Sequence, residues 1–139
     1  MQIYKKILVA IDCSKVDEAI INHIALVARQ NQAEIYLLHV LHAHSLDQKR
    51  ALRHRAEKSL RAYRDHLRAQ GVEAFTLLKN GEPEEEILAE ITTGDYDLAA
   101  MATHGHGFFG DLLFGSVSDT LKHHINIPLL LLRGDQDGR

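Results

Sequence analysis

The residues best suited to holding a ligand lie in one stretch, Thr103-His104-Gly105-His106-Gly107-Phe108-Phe109-Gly110-Asp111-Leu112-Leu113-Phe114-Gly115-Ser116. Four of the nine glycines fall within it, and glycine lets successive backbone N–H groups turn toward one point at φ values other residues avoid. The pattern beyond it predicts a helix from Ser116 to His124, whose first N–H groups have no partner inside the helix. Flexible backbone donors beside a helix start outline an anion site, suited to a phosphate. A second short loop, Asp12-Cys13-Ser14, follows the first apolar run and supplies a carboxylate.

Two familiar phosphate signatures overlap the long loop, and neither fits. Gly105-His106-Gly107-Phe108-Phe109-Gly110 matches G-x-G-x-x-G, but it follows the fourth apolar run, and the position about 20 residues on is Leu130 where a ribose-binding acid would stand. Gly110 to Ser116 matches G-x-x-x-x-G-[ST] only without its lysine. The 10 histidines invite a metal reading, with His39, His42 and His44 the tightest group and His104 with His106 the next. No cysteine or carboxylate completes a ligand set around them, so a structural zinc is not expected. His104 and His106 would instead assist an anion when protonated. No lysine or arginine occurs from Glu82 to Leu121, which leaves the loop without the cation that phosphoryl transfer uses.

Elements able to position these loops alternate along the chain. Ile7–Ile11, Ile35–Val40, Ala74–Leu78, Leu98–Ala102 and Leu129–Leu132 are short apolar runs, read as buried strands. Val16–Gln30 and Asp47–Gln70 carry apolar residues three and four apart and predict helices. Glu84–Thr92, opened by Pro83, and Ser116–His124 predict two shorter ones. Ser14 with Asp17 and Ser116 with Asp119 both fit the capping box S-x-x-D. The resulting βαβαβαβαβ order implies α/β architecture with a parallel sheet covered by helices on both faces. One domain over residues 1–139 is expected, with Gly134–Arg139 as a frayed tail.

Whole-chain properties bound the partners. Apolar and charged fractions of 45% and 25%, with a formal net charge of −3, give no general attraction to nucleic acid or to an anionic membrane. The one cysteine cannot form an internal disulfide, and the first apolar run is too short for a signal peptide, so the cytoplasm is the expected compartment, with no membrane insertion. Eight of the 16 lysines and arginines lie between Lys49 and Arg68, and seven acids without a base lie between Glu82 and Asp97. Both read as solvated helix faces, with a basic docking face as the sharper alternative.

Gly105 and Gly115, with nine residues between them and Ser116 and Ser118 following, complete a wider pattern. With Ile7-Leu8-Val9-Ala10-Ile11-Asp12 and Ser14, Leu38-His39-Val40, Thr103-His104-Gly105, Gly115-Ser116-Val117-Ser118 and Ile127-Pro128-Leu129-Leu130, it resembles the universal stress protein family. Nucleotide-binding members of that family carry Gly-x2-Gly-x9-Gly-[Ser/Thr] after the fourth strand. The resemblance implies a doubly wound five-stranded sheet of order 3-2-1-4-5 and an adenine nucleotide, ATP or AMP, between the first and fourth strands. It implies phosphates on Gly105, Gly115, Ser116, Val117 and Ser118, ribose and adenine on Ala10, Ile11, Asp12 and the backbone of Val40, and Met101 and Ala102 as the floor; His106 joins the nucleotide site as the charged imidazole beside this loop. Asp12 would hold Mg²⁺ together with the phosphates, or a ribose hydroxyl; a plain strand-end cap is its other use. This sequence departs from the family pattern at Ala102, where the first glycine is expected, and at Cys13, where a glycine commonly follows the aspartate. A binding and signalling role with an unidentified protein partner is expected. A slow Mg-dependent ATPase and an interaction protein with an empty cleft are the alternatives. The apolar edge Leu129–Leu132 is expected to pair with its twin in a homodimer.

Overall fold

The computed structural model describes residues 2–42, 45–104 and 113–134. Within them the apolar runs form β1 (Lys6–Ala10), β2 (Glu34–Leu41), β3 (Ala74–Asn80), β4 (Leu98–His104) and β5 (Leu129–Gly134). Between the strands lie α1 (Asp17–Asn31), α2 (Leu46–Ala69), α3 (Pro83–Thr93) and α4 (Leu113–His124). All strand pairs are parallel, in the order β3-β2-β1-β4-β5.

β1 is central, and its alternating side chains feed two separate cores. Ile7 and Val9 face the layer under α1 and α2, where Ile20, Ile24, Ala28, Leu60 and Leu67 meet them. Leu8 and Ala10 face the layer under α3 and α4, with Leu38, Ile87, Ile91, Met101, Val117 and Leu121. None of Ile7 to Ile11 is more than 3% exposed. Burying each of the larger side chains is worth about 1.5–3 kcal/mol, so strands apolar throughout are what a sheet covered on both faces requires. Among the described residues no helix is long and apolar enough to cross a membrane.

Local chemistry sets the helix ends. Ser45 Oγ accepts the Gln48 N–H at 3.1 Å and caps α2, Pro83 opens α3, and Gln32 closes α1 at φ 55°. Three sequence expectations need correction here. α4 begins at Leu113, so Ser116 lies inside the helix and is not its cap; Val117 and Leu121, four apart, carry its apolar stripe into the core under α3 and α4. His104 ends β4 and is not a loop residue. Gly134 is not frayed but is buried in β5, paired with His104, while residues 135–139 lie outside the described ones. A Cβ on Gly134 would sit 2.6 Å from Val16 Cβ. Gly134→Ala is therefore expected to destabilise the protein by about 1–3 kcal/mol through overpacking, read as a lower urea midpoint. A midpoint equal to wild type would mean that this end of β5 is loose.

Candidate functional site

The sheet winds outward in both directions from β1 and β4, which are neighbours with Ala10 opposite Met101. The helix that follows β1 packs on one face and the helix that follows β4 on the other. In open parallel sheets ligands bind beyond the carboxyl ends of such a pair of strands, where the winding direction reverses. Beyond Ala10 the chain is still held: the Ile11 N–H donates to Leu38 O at 2.9 Å. His39 Nδ1 lies 2.8 Å from Ile11 O. A carbonyl only accepts, so the proton sits on Nδ1 and Nε2 is left as an acceptor.

From Asp12 the chain turns out of the sheet through a compact set of hydrogen bonds. Asp17, in the first turn of α1, is wholly buried, and its carboxylate accepts the Asp12 N–H at 3.1 Å and the Cys13 N–H at 2.7 Å. The Ser14 N–H and Oγ–H both donate to Asp12 Oδ1, at 2.9 and 2.6 Å. This differs from the expected capping box: no side chain caps α1, and Asp17 reaches back past Ser14 to the strand end. Cys13 occupies the left-handed region at φ 65°, a conformation that glycine takes most readily.

A cleft of about 280 Å³ opens beside this turn, lined by Asp12, Cys13, Ser14, His39, Leu52, Arg55 and Ala56. Burial, then the nearby carboxylates of Asp17 and Asp12, push the Cys13 thiol up to about 12, so it is held as the unreactive thiol. Burial, and next the charge of Asp12, raise the Asp17 carboxyl above its usual range, with the two N–H donors opposing. Burial lowers His39, partly offset by Ile11 O and Asp12. Among the described residues no group of three or more histidines, cysteines and carboxylates could hold a metal ion by itself; a cation at Asp12 would need ligand oxygens as well.

A family model described as the universal stress protein family matches residues 3–133. The chain belongs to the universal stress protein family. It is 26% identical over 147 aligned residues to universal stress protein YxiE of Bacillus subtilis, with 94% of this chain and 99% of the relative covered. A universal stress protein from Archaeoglobus fulgidus, solved in complex with dAMP, superposes with a TM-score of 0.71 at 22% identity, covering 94% of this chain and 98% of that one. A family protein from Arabidopsis thaliana, solved with AMP bound, gives 0.70 at 20% identity over 96% and 94% of the two chains.

Within this universal stress protein fold the predicted ligand residues fall into distinct settings. Ala10, Val40, Met101 and Val117 share the core layer under α3 and α4, whereas Ile11 and Ala102 belong to the layer under α1 and α2. Ala102 is 0% exposed, so its methyl group is a core contact beneath α1. Ser118 is 7% exposed on α4. Gly115 and Ser116 lie in the first turns of α4, and Gly105 and His106 lie outside the described residues. The sequence pattern gave Asp17 a capping role only and passed over Arg55; the cue was a non-glycine residue after Asp12, which needs something to hold its turn.

The lowered His39 predicts a pH dependence with a definite sign. Its folded pKa lies below the ordinary 6.5, so the unfolded chain takes up the proton first as pH falls. Stability is then retained above about pH 6.5 and lost as pH drops through the folded pKa. Urea midpoints should fall more steeply between about pH 7.5 and 5.5 for wild type than for His39→Gln. Equal slopes would contradict the assignment.

Proposed function

We propose that this universal stress protein is a single-domain adenine-nucleotide-binding protein of the cytoplasm that signals through its bound state, without appreciable catalysis. The observation that carries the proposal is the adjacency of β1 and β4 with their following helices on opposite faces. In this reading the backbone at Ala10, Ile11, Asp12 and Val40 meets ribose and adenine, with Met101 and Ala102 beneath. The phosphates of AMP or ATP lie toward Gly105, His106, Gly115, Ser116, Val117 and Ser118, at the amino end of α4. Relatives of the same fold hold dAMP and AMP, which supports the adenine nucleotide class. Mg²⁺ would enter with ATP, between its phosphates and Asp12. Asp12 Oδ1 already takes two hydrogen bonds from Ser14, the thiol of Cys13 is held protonated, and no lysine or arginine lies between Glu82 and Leu121. These features favour binding over phosphoryl transfer.

Gly115→Val places a branched side chain beside the amides proposed to hold phosphate. Titration calorimetry should show AMP and ATP binding lost in a protein that keeps its wild-type circular dichroism. Unchanged affinity in the folded variant would move the phosphates elsewhere.

We further propose a homodimer paired through β5. This strand stands at the sheet edge, and the Ala99 N–H donates to Pro128 O at 3.0 Å. Backbone groups alternate in direction along a parallel strand, so those of Leu129, Leu131 and Arg133 face away from β4. Leu130 and Leu132 pack partly into the core under α1, while Leu131 is 41% exposed. An apolar edge with outward N–H groups invites pairing. Leu131→Pro removes one outward donor and leaves the ladder to β4 intact. Light scattering should give a dimer for wild type and a monomer for this variant; a monomeric wild type at micromolar concentration would defeat the dimer.

A further inference from the structure

Taking the nucleotide reading of this edge as given, we infer that Asp17 is the positioning residue for the ligand-facing turn, holding Cys13 in a conformation that a glycine would adopt unaided. A left-handed residue with a side chain is strained by its own Cβ, and Cys13 stands at φ 65°. Only a surrounding structure that over-determines such a turn keeps it in place. Asp17 supplies that constraint. Its two oxygens take the consecutive N–H groups of Asp12 and Cys13, one on each side of the Asp12 Cα, at 3.1 and 2.7 Å, and its 0% exposure excludes water as a competitor. A buried carboxyl group whose two oxygens accept consecutive amides is a directional clamp.

The turn is tied on its other side as well. Cys13 packs against the core under α1 and α2. Asp12 is thereby aimed from two directions: its N–H by Asp17, its carboxylate by the two donors of Ser14. Asp17 acts through the backbone of Asp12 and Cys13. The carboxylate at position 17 and the cysteine at position 13 therefore form a coupled pair, in which the first compensates for the second.

The test is a double-mutant cycle on the full chain, read as AMP affinity by calorimetry. Asp17→Ala should weaken AMP binding about tenfold or more, and Asp17→Asn, which keeps one acceptor oxygen, should fall between it and wild type. Cys13→Gly alone should leave affinity within about twofold, and Cys13→Gly with Asp17→Ala should recover most of the loss, because glycine takes this φ without a clamp. A role confined to filling the core predicts no recovery, and that result, or unchanged affinity in Asp17→Ala, overturns the inference. Amide hydrogen exchange in the nucleotide-free protein gives a second readout. The Asp12 and Cys13 N–H groups should be protected in wild type and exchange fast in Asp17→Ala or Asp17→Asn, with β1 amides still protected. Fast exchange in wild type overturns the inference. Protected amides that respond to Asp17, in a protein that binds no AMP, would leave the turn assignment standing and defeat the binding proposal.

Discussion

Parallel pairing of β1 on both its edges is the constraint from which the rest of this protein follows. Parallel strands can be joined only by crossovers, and the crossover helices bury both faces of the sheet. The side chains from Ile7 to Ala10 are thus all committed to packing. What remains for a ligand is the carboxyl edge, where strands stop and backbone atoms come to the surface. That is why the residues implicated at this edge, Ala10, Ile11, Met101 and Val117, are apolar and almost wholly buried. Their side chains serve the core.

The charged groups near that edge are arranged to shape it. Two carboxylates, Asp12 and Asp17, lie at one turn, and each is spent on hydrogen bonds to neighbouring backbone and hydroxyl donors. Burial, and next the nearby carboxyl groups of Asp17 and Asp12, keep the thiol between them protonated. His39, half-buried and donating to Ile11 O, stiffens the residue that follows β1 from the side of β2. No described side chain at the turn is placed as an activated nucleophile.

Much of this was legible in the sequence, because a fully buried parallel strand has a distinctive apolar run and a crossover helix a distinctive period. All five runs became strands, and Pro83 marked the start of α3 as its fixed φ requires. Strand order came from the family motifs; periodicity carries no information on which strands are neighbours. Helix α4 was misjudged at its start because Gly115 reads as a break, whereas the helix runs through it from Leu113. Gly134 read as tail because a glycine beside polar residues gives no packing signal, yet its missing side chain is what lets β5 pass against Val16. The role of Asp17 was hidden for a different reason. The S-x-x-D spacing describes a cap, and only the left-handed backbone at Cys13 redirects that carboxylate to the strand end.

The most direct test of the account is a nuclear magnetic resonance titration of the isotopically labelled full chain with AMP. The account predicts that the largest amide shifts fall on Ala10 to Asp12, Val40, Met101, Ala102 and residues 115–118, all along one edge of the sheet. Shifts confined to other surfaces, or no shifts at millimolar AMP, would contradict it.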